Sequence, residues 1–214
     1  MWCNLLPEDV KQKDNKHKVI ASMKTTAISR YNASKRLSRQ TKVTFWVSIL
    51  FSLGLIFIPL MQLAKVPLKF NGDILSAVQI FLAVAILVFS IVIGTARYEL
   101  RAHQLDSCGN NIKNLIRRLR AASIDECDTS GEVLNKFHDE YNGMISNVEN
   151  HERQDYILTI LRSPDLFKLT LCARIYHWIK FFLFSITPHM PSIILVLVEI
   201  LFITEMFGIT KILM

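Results

Sequence analysis

The chain has 214 residues, of which 51% are hydrophobic, and a formal net charge of +7. This size and a mean hydropathy of +0.30 favour a small integral membrane protein over a soluble globular domain. The charge is uneven, because residues 1–42 hold ten Lys or Arg against three acids and the remaining residues balance. Basic residues beside a membrane span more often set topology or contact anionic lipid, so no nucleic-acid partner is expected.

The segment before the first apolar run divides into two parts. Residues 1–14 are polar and lack an apolar period, which predicts a flexible N-terminus. A basic cytoplasmic helix is predicted over residues 15–42, lying on the membrane or packing on a neighbour. Its modest apolar stripe consists of Ile20, Met23, Ala27, Tyr31 and Ser34. No cleavable signal peptide is recognised, so the first span is expected to act as its own insertion signal.

Two charge-free stretches follow, residues 43–64 and residues 74–96. At about 1.5 Å per helical residue, each is long enough to cross the roughly 30 Å hydrocarbon core of a bilayer. The nine residues between them, 65–73, contain Pro, Asn and Gly, which suit a tight turn. Residues 43–96 are therefore predicted to form a transmembrane hairpin of two antiparallel helices.

A few polar or helix-weakening residues inside this hairpin are the candidates for helix packing or for lining a pore. They are Ser48, Ser52, Gly54, Pro59, Gln79, Ser90 and Gly94. Ser48 with Ser52, and Ser90 with Gly94, form small-x-x-x-small steps that allow helices to approach closely in lipid. Because two helices cannot enclose a channel, a pore would require a homo-oligomer.

Cytoplasmic helices are predicted over residues 97–165. An unbroken helix from residue 74 to residue 120 would be about 70 Å long. Its cytoplasmic part has the spacing of a coiled-coil seam, which offers a route for self-association. The residues of this seam are Tyr98, Arg101, Leu105, Cys108, Ile112, Leu115 and Leu119.

A further amphipathic helix is predicted after a polar break at residues 124–131. Its stripe consists of Leu134, Phe137, Tyr141, Met144 and Val148, and the same spacing continues to His151 and Asp155. Polar groups that face a neighbouring helix need partners. We therefore predict that Asp155, with His151, meets Arg101 or Arg97 beneath the membrane. The alternative is that both point partly to solvent and cap a helix.

Catalytic and metal-binding motifs are not recognised in the chain. His151 and Glu152 resemble the start of a zinc-protease H-E-x-x-H helix, but Asp155 replaces the second His. The four cysteines lack ligand spacing and are interpreted as structural or incidental. With no nucleophile–base pair or phosphate loop, we expect no enzymatic activity, no metal and no cofactor.

A polar cluster follows the spans and is formed by Asn147, Asn150, His151, Glu152, Asp155 and Tyr156. Together with the basic helix, the hairpin and the run Arg97–Tyr98–Glu99–Leu100–Arg101–Ala102, it resembles the SLATT domain over roughly residues 15–165. These are the SMODS and SLOG-associating two-transmembrane effectors of bacterial defence. The resemblance implies a non-enzymatic, pore-forming effector that a signalling nucleotide or a partner protein triggers to damage the host's inner membrane.

The C-terminal region, residues 166–214, is hydrophobic and extends beyond the minimal domain, as in longer subfamilies. It predicts either an interfacial helix followed by a third span, or a second hairpin that dips into the membrane. Its possible intramembrane acids are Glu199 and Glu205, which lie about 120° apart on a helical wheel and should not share a face. An acid within a membrane is usually functional or paired.

The composition and the apolar spans predict an all-α, multi-pass membrane protein with a cytoplasmic N-terminus, and the resemblance implies that this membrane is the bacterial inner membrane. The resemblance implies an anti-phage effector of the abortive-infection type, which oligomerises and permeabilises the membrane on a nucleotide or partner signal. The alternative is a membrane anchor or scaffold that binds a cytoplasmic defence partner without forming a pore. A transporter is less favoured, because the small chain shows no internal repeat.

Overall fold

The computed structural model describes residues 15–122 and 130–209, which form helices and turns without a strand. The helices are α1 (Asn15–Leu63), α2 (Gly72–Ala96), α3 (Tyr98–Ala121), α4 (Ser130–Ser146), α5 (Arg153–Arg162), α6 (Leu171–Ile186) and α7 (Met190–Met206), with a 3₁₀ turn at Thr187–His189. The predicted all-α fold is confirmed. The predicted flexible N-terminus, residues 1–14, and most of the predicted break at residues 124–131 lie outside the described residues.

Three helical stretches within the described residues are long and apolar enough to cross a membrane. They are Lys16–Leu63, Gly72–Ala121 and Leu171–Met206. The predicted spans are helical, since residues 43–63 belong to α1 and residues 74–96 belong to α2. Only 6% of the most apolar window of the second stretch is buried, as expected for a helix whose surroundings are lipid. The chain is therefore a helical membrane protein.

The chain divides into two compact units. The polar unit comprises Met1–Ser38 and Glu99–Ser185, and the hairpin unit comprises Arg39–Tyr98 and Ile186–Met214. Helix α1 contributes its first part to the polar unit and its second part to the hairpin unit. The basic helix predicted over residues 15–42 thus continues into the first span without interruption, as one helix of 49 residues.

The core of the polar unit is apolar and is built by α1, α3 and α4. Met23 and Ala27 on the predicted stripe of α1 pack against α3 and α4. The stripe predicted for α4 also packs here, and it contributes Leu134, Phe137, Tyr141, Met144 and Val148. Residues that follow α5, Leu166 and Phe167, form a second small core with Ile160.

The hairpin unit contains three helices, because α7 packs against both arms of the predicted hairpin. The backbone N–H of Lys69, in the turn between α1 and α2, donates to the carbonyl of Met206 at the end of α7 (3.1 Å). Phe70 in the same turn stacks on Phe202 of α7, with ring centroids 5.3 Å apart. Helix α7 therefore runs parallel to α1 and antiparallel to α2. At about 1.5 Å per residue, it is about 26 Å long.

The predicted unbroken helix from residue 74 to residue 120 is wrong. Helix α2 ends at Ala96, and Arg97 adopts a left-handed conformation with φ 47° and ψ 40° before α3 begins. This conformation costs roughly 1–2 kcal/mol for a residue with a β-carbon and usually selects glycine, but position 97 is an arginine, so no local pattern indicates the break. Arg97 is thus a cap between two helices.

Two further expectations need correction. The α3 seam is buried within the chain, with Leu105, Ile112 and Leu119 at 0% exposure, so these positions are not free for self-association. The α4 stripe does not continue to Asp155, because α4 ends at Ser146 and a new helix starts at Arg153. A glycine at residue 143 and the polar residues that follow weaken the helix there.

Candidate functional site

The part of α1 in the polar unit buries a second, polar face besides its apolar stripe. Ser29, Arg30 and Asn32 are all buried, and Arg36 is largely covered. The Ser29 hydroxyl hydrogen-bonds the Thr159 hydroxyl of α5 (3.0 Å), and Asn32 Nδ2 donates to Thr159 Oγ1 (3.0 Å). Most buried polar groups in proteins are hydrogen-bonded, and these pairs join α1 to α5. This face is therefore built to hold α5.

The centre of the contact is an ion pair between Arg36 and Asp155. Nε of Arg36 donates to Oδ1 (3.0 Å) and Nη2 donates to Oδ2 (3.1 Å). The side chain of Asp155 is 3% exposed and that of Arg36 is 16% exposed. Such a two-pronged guanidinium–carboxylate contact fixes both distance and orientation. We call the Arg36–Asp155 pair the latch.

The latch also organises the start of α5. Nη1 of Arg36 lies 3.0 Å from Oε1 of Glu152, and the Glu152 N–H donates to Asp155 Oδ2 (3.0 Å). Glu152 is the N-cap residue of α5, and Asp155 is its third helical residue. An acidic side chain in the first turn also interacts favourably with the positive end of the helix dipole. One carboxylate therefore both caps α5 and anchors it to α1.

In the structure the partner of Asp155 is Arg36 on α1, so the predicted pairing with Arg101 or Arg97 is wrong. Arg101 instead donates from Nε to Glu149 Oε2 (2.7 Å), between two partly exposed side chains. The other predicted cation, Arg97, belongs to the hairpin unit and caps α2. The inward orientation predicted for Asp155 is nevertheless confirmed, since the residue is 2% exposed.

The other residues of the predicted cluster lie in or beside the loop between α4 and α5. Asn147 Nδ2 donates to the Gly143 carbonyl (3.0 Å), and Asn150 Oδ1 accepts from the His151 N–H (3.0 Å). Tyr156 packs edge-on against Phe167, with ring centroids 6.4 Å apart, and burial raises the pKa of its hydroxyl. These contacts hold the loop between α4 and α5.

Among the cluster residues, His151 has a buried polar atom that lacks a hydrogen-bond partner in the described part of the chain. Its Nδ1 is buried and has no hydrogen-bond partner among the described residues. Burial and the nearby charge of Arg30 lower the pKa of the imidazole, against an opposing effect of Asp155. The ring lies 6.2 Å from that of Tyr156. His151 is therefore held as a neutral ring beside the latch.

A groove on the polar unit lies between α3 and α4. Its volume is about 510 Å³, within the usual range of small-molecule sites. Its polar lining consists of His103, Gln104, Ser107, Asn111, Glu140 and Asn147. Neither Lys nor Arg is among the lining residues. The groove therefore offers hydrogen-bonding groups that suit a base edge or a peptide better than a phosphate.

The candidate packing residues of the hairpin differ in their surroundings. Gly54 is buried against α7, whereas a β-carbon on Gly94 would meet nothing within 4 Å. Ser90 is exposed, and its hydroxyl donates to the Ile86 carbonyl of its own helix (2.8 Å). Gln79 Nε2 donates to Gln62 Oε1 (3.3 Å), between α2 and α1. The Ser90–Gly94 step is thus unused within the chain.

The other candidate positions on α1 are mostly exposed. Ser52 is exposed and donates to the Ser48 carbonyl (2.9 Å), while Ser48 is half-buried. Pro59 lies inside α1 and is also exposed. Proline removes a backbone donor from a helix interior. The Ser52 hydroxyl is thus used within its own helix.

The two predicted intramembrane acids are both buried on α7, Glu199 at 6% and Glu205 at 1% exposure. Glu205 Oε1 lies 2.5 Å from Nζ of Lys69 in the hairpin turn. Glu199 Oε1 has no hydrogen-bond partner among the described residues and lies over Gly54. The two acids were predicted not to share a face of the helix, and they contact different neighbours: Glu199 lies against α1, and Glu205 lies against the hairpin turn.

The His, Cys, Asp and Glu side chains of the described residues are dispersed, and one of the two described cysteines is buried. No group of three or more His, Cys, Asp or Glu side chains in residues 15–122 and 130–209 could hold a metal ion. Cys108 is buried and its Sγ donates to the Met144 carbonyl (3.6 Å). Burial raises the pKa of this thiol, which disfavours the reactive thiolate. Cys172 is exposed, and the other two cysteines lie outside the described residues.

The latch residues on α1 were not predicted. Ser29, Asn32 and Arg36 recur at three- and four-residue spacing, which places them on one face of a helix. Asp155 and Thr159 have the matching four-residue spacing on α5. The signal was a polar stripe inside a basic helix, and it was hidden because polar residues there are normally solvated.

Comparison with known proteins gives one match. The model of SMODS and SLOG-associating 2TM effector domain family 5 matches residues 12–203. The match extends past residue 165, so it includes α6 and most of α7. No curated protein and no solved structure matches the chain. Because the match covers nearly the whole chain, with both spans and the latch, this protein belongs to family 5 of the SMODS and SLOG-associating 2TM effector domains.

Proposed function

We propose that this protein is a membrane-permeabilising effector of a bacterial anti-phage defence system of the abortive-infection type. In this proposal the chain oligomerises in the inner membrane and opens a path for ions when the polar unit receives a signal. The signal is a nucleotide or a partner protein. The membership of the chain in an effector-domain family supports this class of function.

One observation carries the proposal: a single helix, α1, takes part in both units. In the polar unit it carries Arg36 of the latch, and in the hairpin unit it carries Gly54, against which α7 packs. A change in the latch therefore has a continuous helical route to the membrane. Rigid elements with two arrangements are the usual carriers of such coupling.

The surface of the hairpin unit supports assembly in the membrane. Large apolar side chains on α2 are exposed, such as Ile80 at 68% and Phe81 at 61%. Ser90 and Gly94 lie exposed on the same helix. Small residues at this spacing allow another helix to approach closely in lipid. We propose that this step is where copies of the chain meet, in place of the buried α3 seam.

The charge distribution supports a cytoplasmic N-terminus. The basic excess lies within residues 1–42, and Arg97 and Arg101 follow the second span. By the positive-inside rule both segments remain in the cytoplasm. Because α7 runs parallel to α1, the proposal places the end of α7 on the opposite side, as the third crossing.

Expression of the full chain with a potentiometric dye in the cells tests this function. An effector is expected to depolarise the membrane when its trigger is present. The double variant Ser90→Leu with Gly94→Leu should remove depolarisation while its level in the membrane is unchanged, because both positions are exposed. Depolarisation by the double variant equal to that of the wild type would contradict assembly through this step.

A membrane anchor that binds a partner is the second candidate, and the groove between α3 and α4 favours it. A partner segment held there would need no pore. Substitution of Asn111 and Asn147 by Ala should then abolish partner capture, while Leu at residues 90 and 94 should leave capture intact. If the protein is instead a pore-forming effector, Leu at residues 90 and 94 should abolish its toxicity.

A further inference from the structure

Within the hairpin unit, the carboxyl group of Glu199 occupies space that exists because residue 54 is a glycine. A β-carbon at Gly54 would lie 1.8 Å from Glu199 Oε1 and 2.9 Å from Cδ, so only glycine admits the carboxyl group there. Oε1 is buried and lacks a hydrogen-bond partner among the described residues. The carboxyl group thus rests on the backbone of α1 rather than on a donor.

Two cavities flank this carboxyl group, with volumes of about 130 Å³ and about 200 Å³. Their walls come from α1, α2 and α7. Apart from Gly54 and Glu199, every lining residue is apolar. No titratable or charged group from α1 or α2 faces Glu199 in either cavity. An ordered water needs two to four polar partners, which this apolar lining does not supply.

Glu205 on the same helix provides the contrast. Its carboxylate is buried but has the ammonium of Lys69 at 2.5 Å. A buried carboxylate without such a cation costs several kcal/mol. Uptake of a proton removes this cost, because the neutral acid has no charge to desolvate. The cost of burying a charge is therefore offset in two ways: Glu205 pairs with Lys69, and Glu199 binds a proton.

We propose that Glu199 and Gly54 form a proton-binding site inside the hairpin unit, and that this carboxyl group selects cations when the membrane path opens. The second half of the proposal rests on the proposed function. In the closed unit Glu199 is a neutral acid. When α7 separates from α1 and water enters, the acid releases its proton and presents a negative charge to the path. Acidic side chains in a pore favour cations.

Dicyclohexylcarbodiimide tests the site directly, because this apolar reagent reacts with protonated acids in lipid. The carboxylic acid adds across one C=N bond of the carbodiimide, with its oxygen bonding to the central carbon and its proton going to the nitrogen. The acyl group of this O-acylisourea then migrates from oxygen to nitrogen and gives a stable N-acylurea, so that the whole reagent is retained. The full chain in phosphatidylethanolamine–phosphatidylglycerol liposomes is treated and mapped by mass spectrometry. We expect the label on Glu199, with the ion-paired Glu205 of the same chain as the internal control. Glu199→Gln should lose the label.

Failure of the site and failure of the pore give different results. Absence of label on Glu199 of the wild type, or its modification by a water-soluble carbodiimide in closed liposomes, would overturn the proton site. For selectivity, reversal potentials in a KCl gradient should shift toward zero in Glu199→Gln. An unchanged reversal potential would overturn the selectivity. A labelled chain that conducts under no trigger would contradict the proposed pore and leave the proton site standing.

Discussion

Arg36 and Asp155 are 119 positions apart in the sequence, yet they form two parallel hydrogen bonds of 3.0 and 3.1 Å. This latch joins α1 to α5 within the polar unit. Asp155 in addition accepts the N–H of Glu152 and so helps to start α5. The same two charges thus determine where α5 begins and what it packs against.

Removal of one latch partner should be costly. Arg36→Ala leaves the buried Asp155 carboxylate without its cation, and such changes typically cost 3–5 kcal/mol. Asp155→Asn should cost less, because Arg36 keeps its contact with Glu152. Arg36→Lys should also destabilise, because an ammonium cannot reproduce the two-pronged contact. Thermal unfolding of the protein in detergent, followed by circular dichroism, measures the effect.

An exposed pair on the same unit serves as the matched control. Arg118 and Glu140 are 60% and 37% exposed at their side chains. Loss of an exposed pair usually costs 0–1 kcal/mol. Arg118→Ala should therefore barely change the unfolding temperature. Equal decreases of the unfolding temperature in Arg118→Ala and Arg36→Ala would show that the latch stabilises the unit no more than an exposed ion pair does.

His151 should make the stability of the polar unit depend on pH. The folded protein lowers the pKa of this imidazole, so the unfolded chain takes up a proton at a higher pH than the folded chain. The stability is therefore complete above the unfolded pKa of about 6.5 and decreases as the pH falls below it. Unfolding temperatures at pH 7.5 and pH 5.5 should differ less in His151→Gln than in the wild type. The same pH difference in both proteins would refute this role.

Two glycines of the polar unit should respond oppositely to substitution. A β-carbon at Gly109 would lie 2.9 Å from the Tyr31 ring, whose hydroxyl donates to Asn110 (3.0 Å). Gly109→Leu should destabilise by about 1–3 kcal/mol through overpacking. Gly143 has open space around it, so Gly143→Leu should stabilise α4 by about 0.5–1 kcal/mol. The comparison of the two unfolding temperatures tests the packing of α1 on α3.

The hairpin unit offers a similar pair. Gly54→Leu would meet the Glu199 side chain and should separate α7 from α1, with a loss of about 1–3 kcal/mol. Gly94→Leu enters open space and should leave the single chain as stable as the wild type. Protease accessibility near residue 206 in detergent reports whether α7 remains docked. Equal protection in both variants would contradict the packing of α7 on Gly54.

Elements that depend only on local sequence patterns could be predicted from the sequence. The charge-free hairpin and the stripes of α3 and α4 depend on hydrophobicity and spacing alone, and they form as predicted. The hydrophobic region predicted from residue 166 does not become helical at once. Leu166 and Phe167 pack into a small core as a turn, and α6 begins at Leu171.

Features that depend on a distant partner were missed or assigned wrongly. Asp155 was expected to face inward and does so, but its partner was sought on the helix that follows the spans. The true partner, Arg36, lies in a basic segment whose charges were attributed to topology. The break at Arg97 had no local signal, since its left-handed conformation usually selects glycine. A third span within residues 166–214 was one of the two predicted arrangements, but the packing of α7 on both arms of the hairpin and the contact of Glu199 with Gly54 depend on distant residues.

Dye release from liposomes tests most directly whether the latch controls the membrane path. Full-length wild type, Asp155→Asn and Arg118→Ala are reconstituted at equal protein-to-lipid ratios, and insertion is verified by protease protection. If the latch holds the path closed, Asp155→Asn should release dye without a trigger, while the wild type and Arg118→Ala retain it. Retention of dye by inserted Asp155→Asn, equal to that of the wild type, would contradict the account.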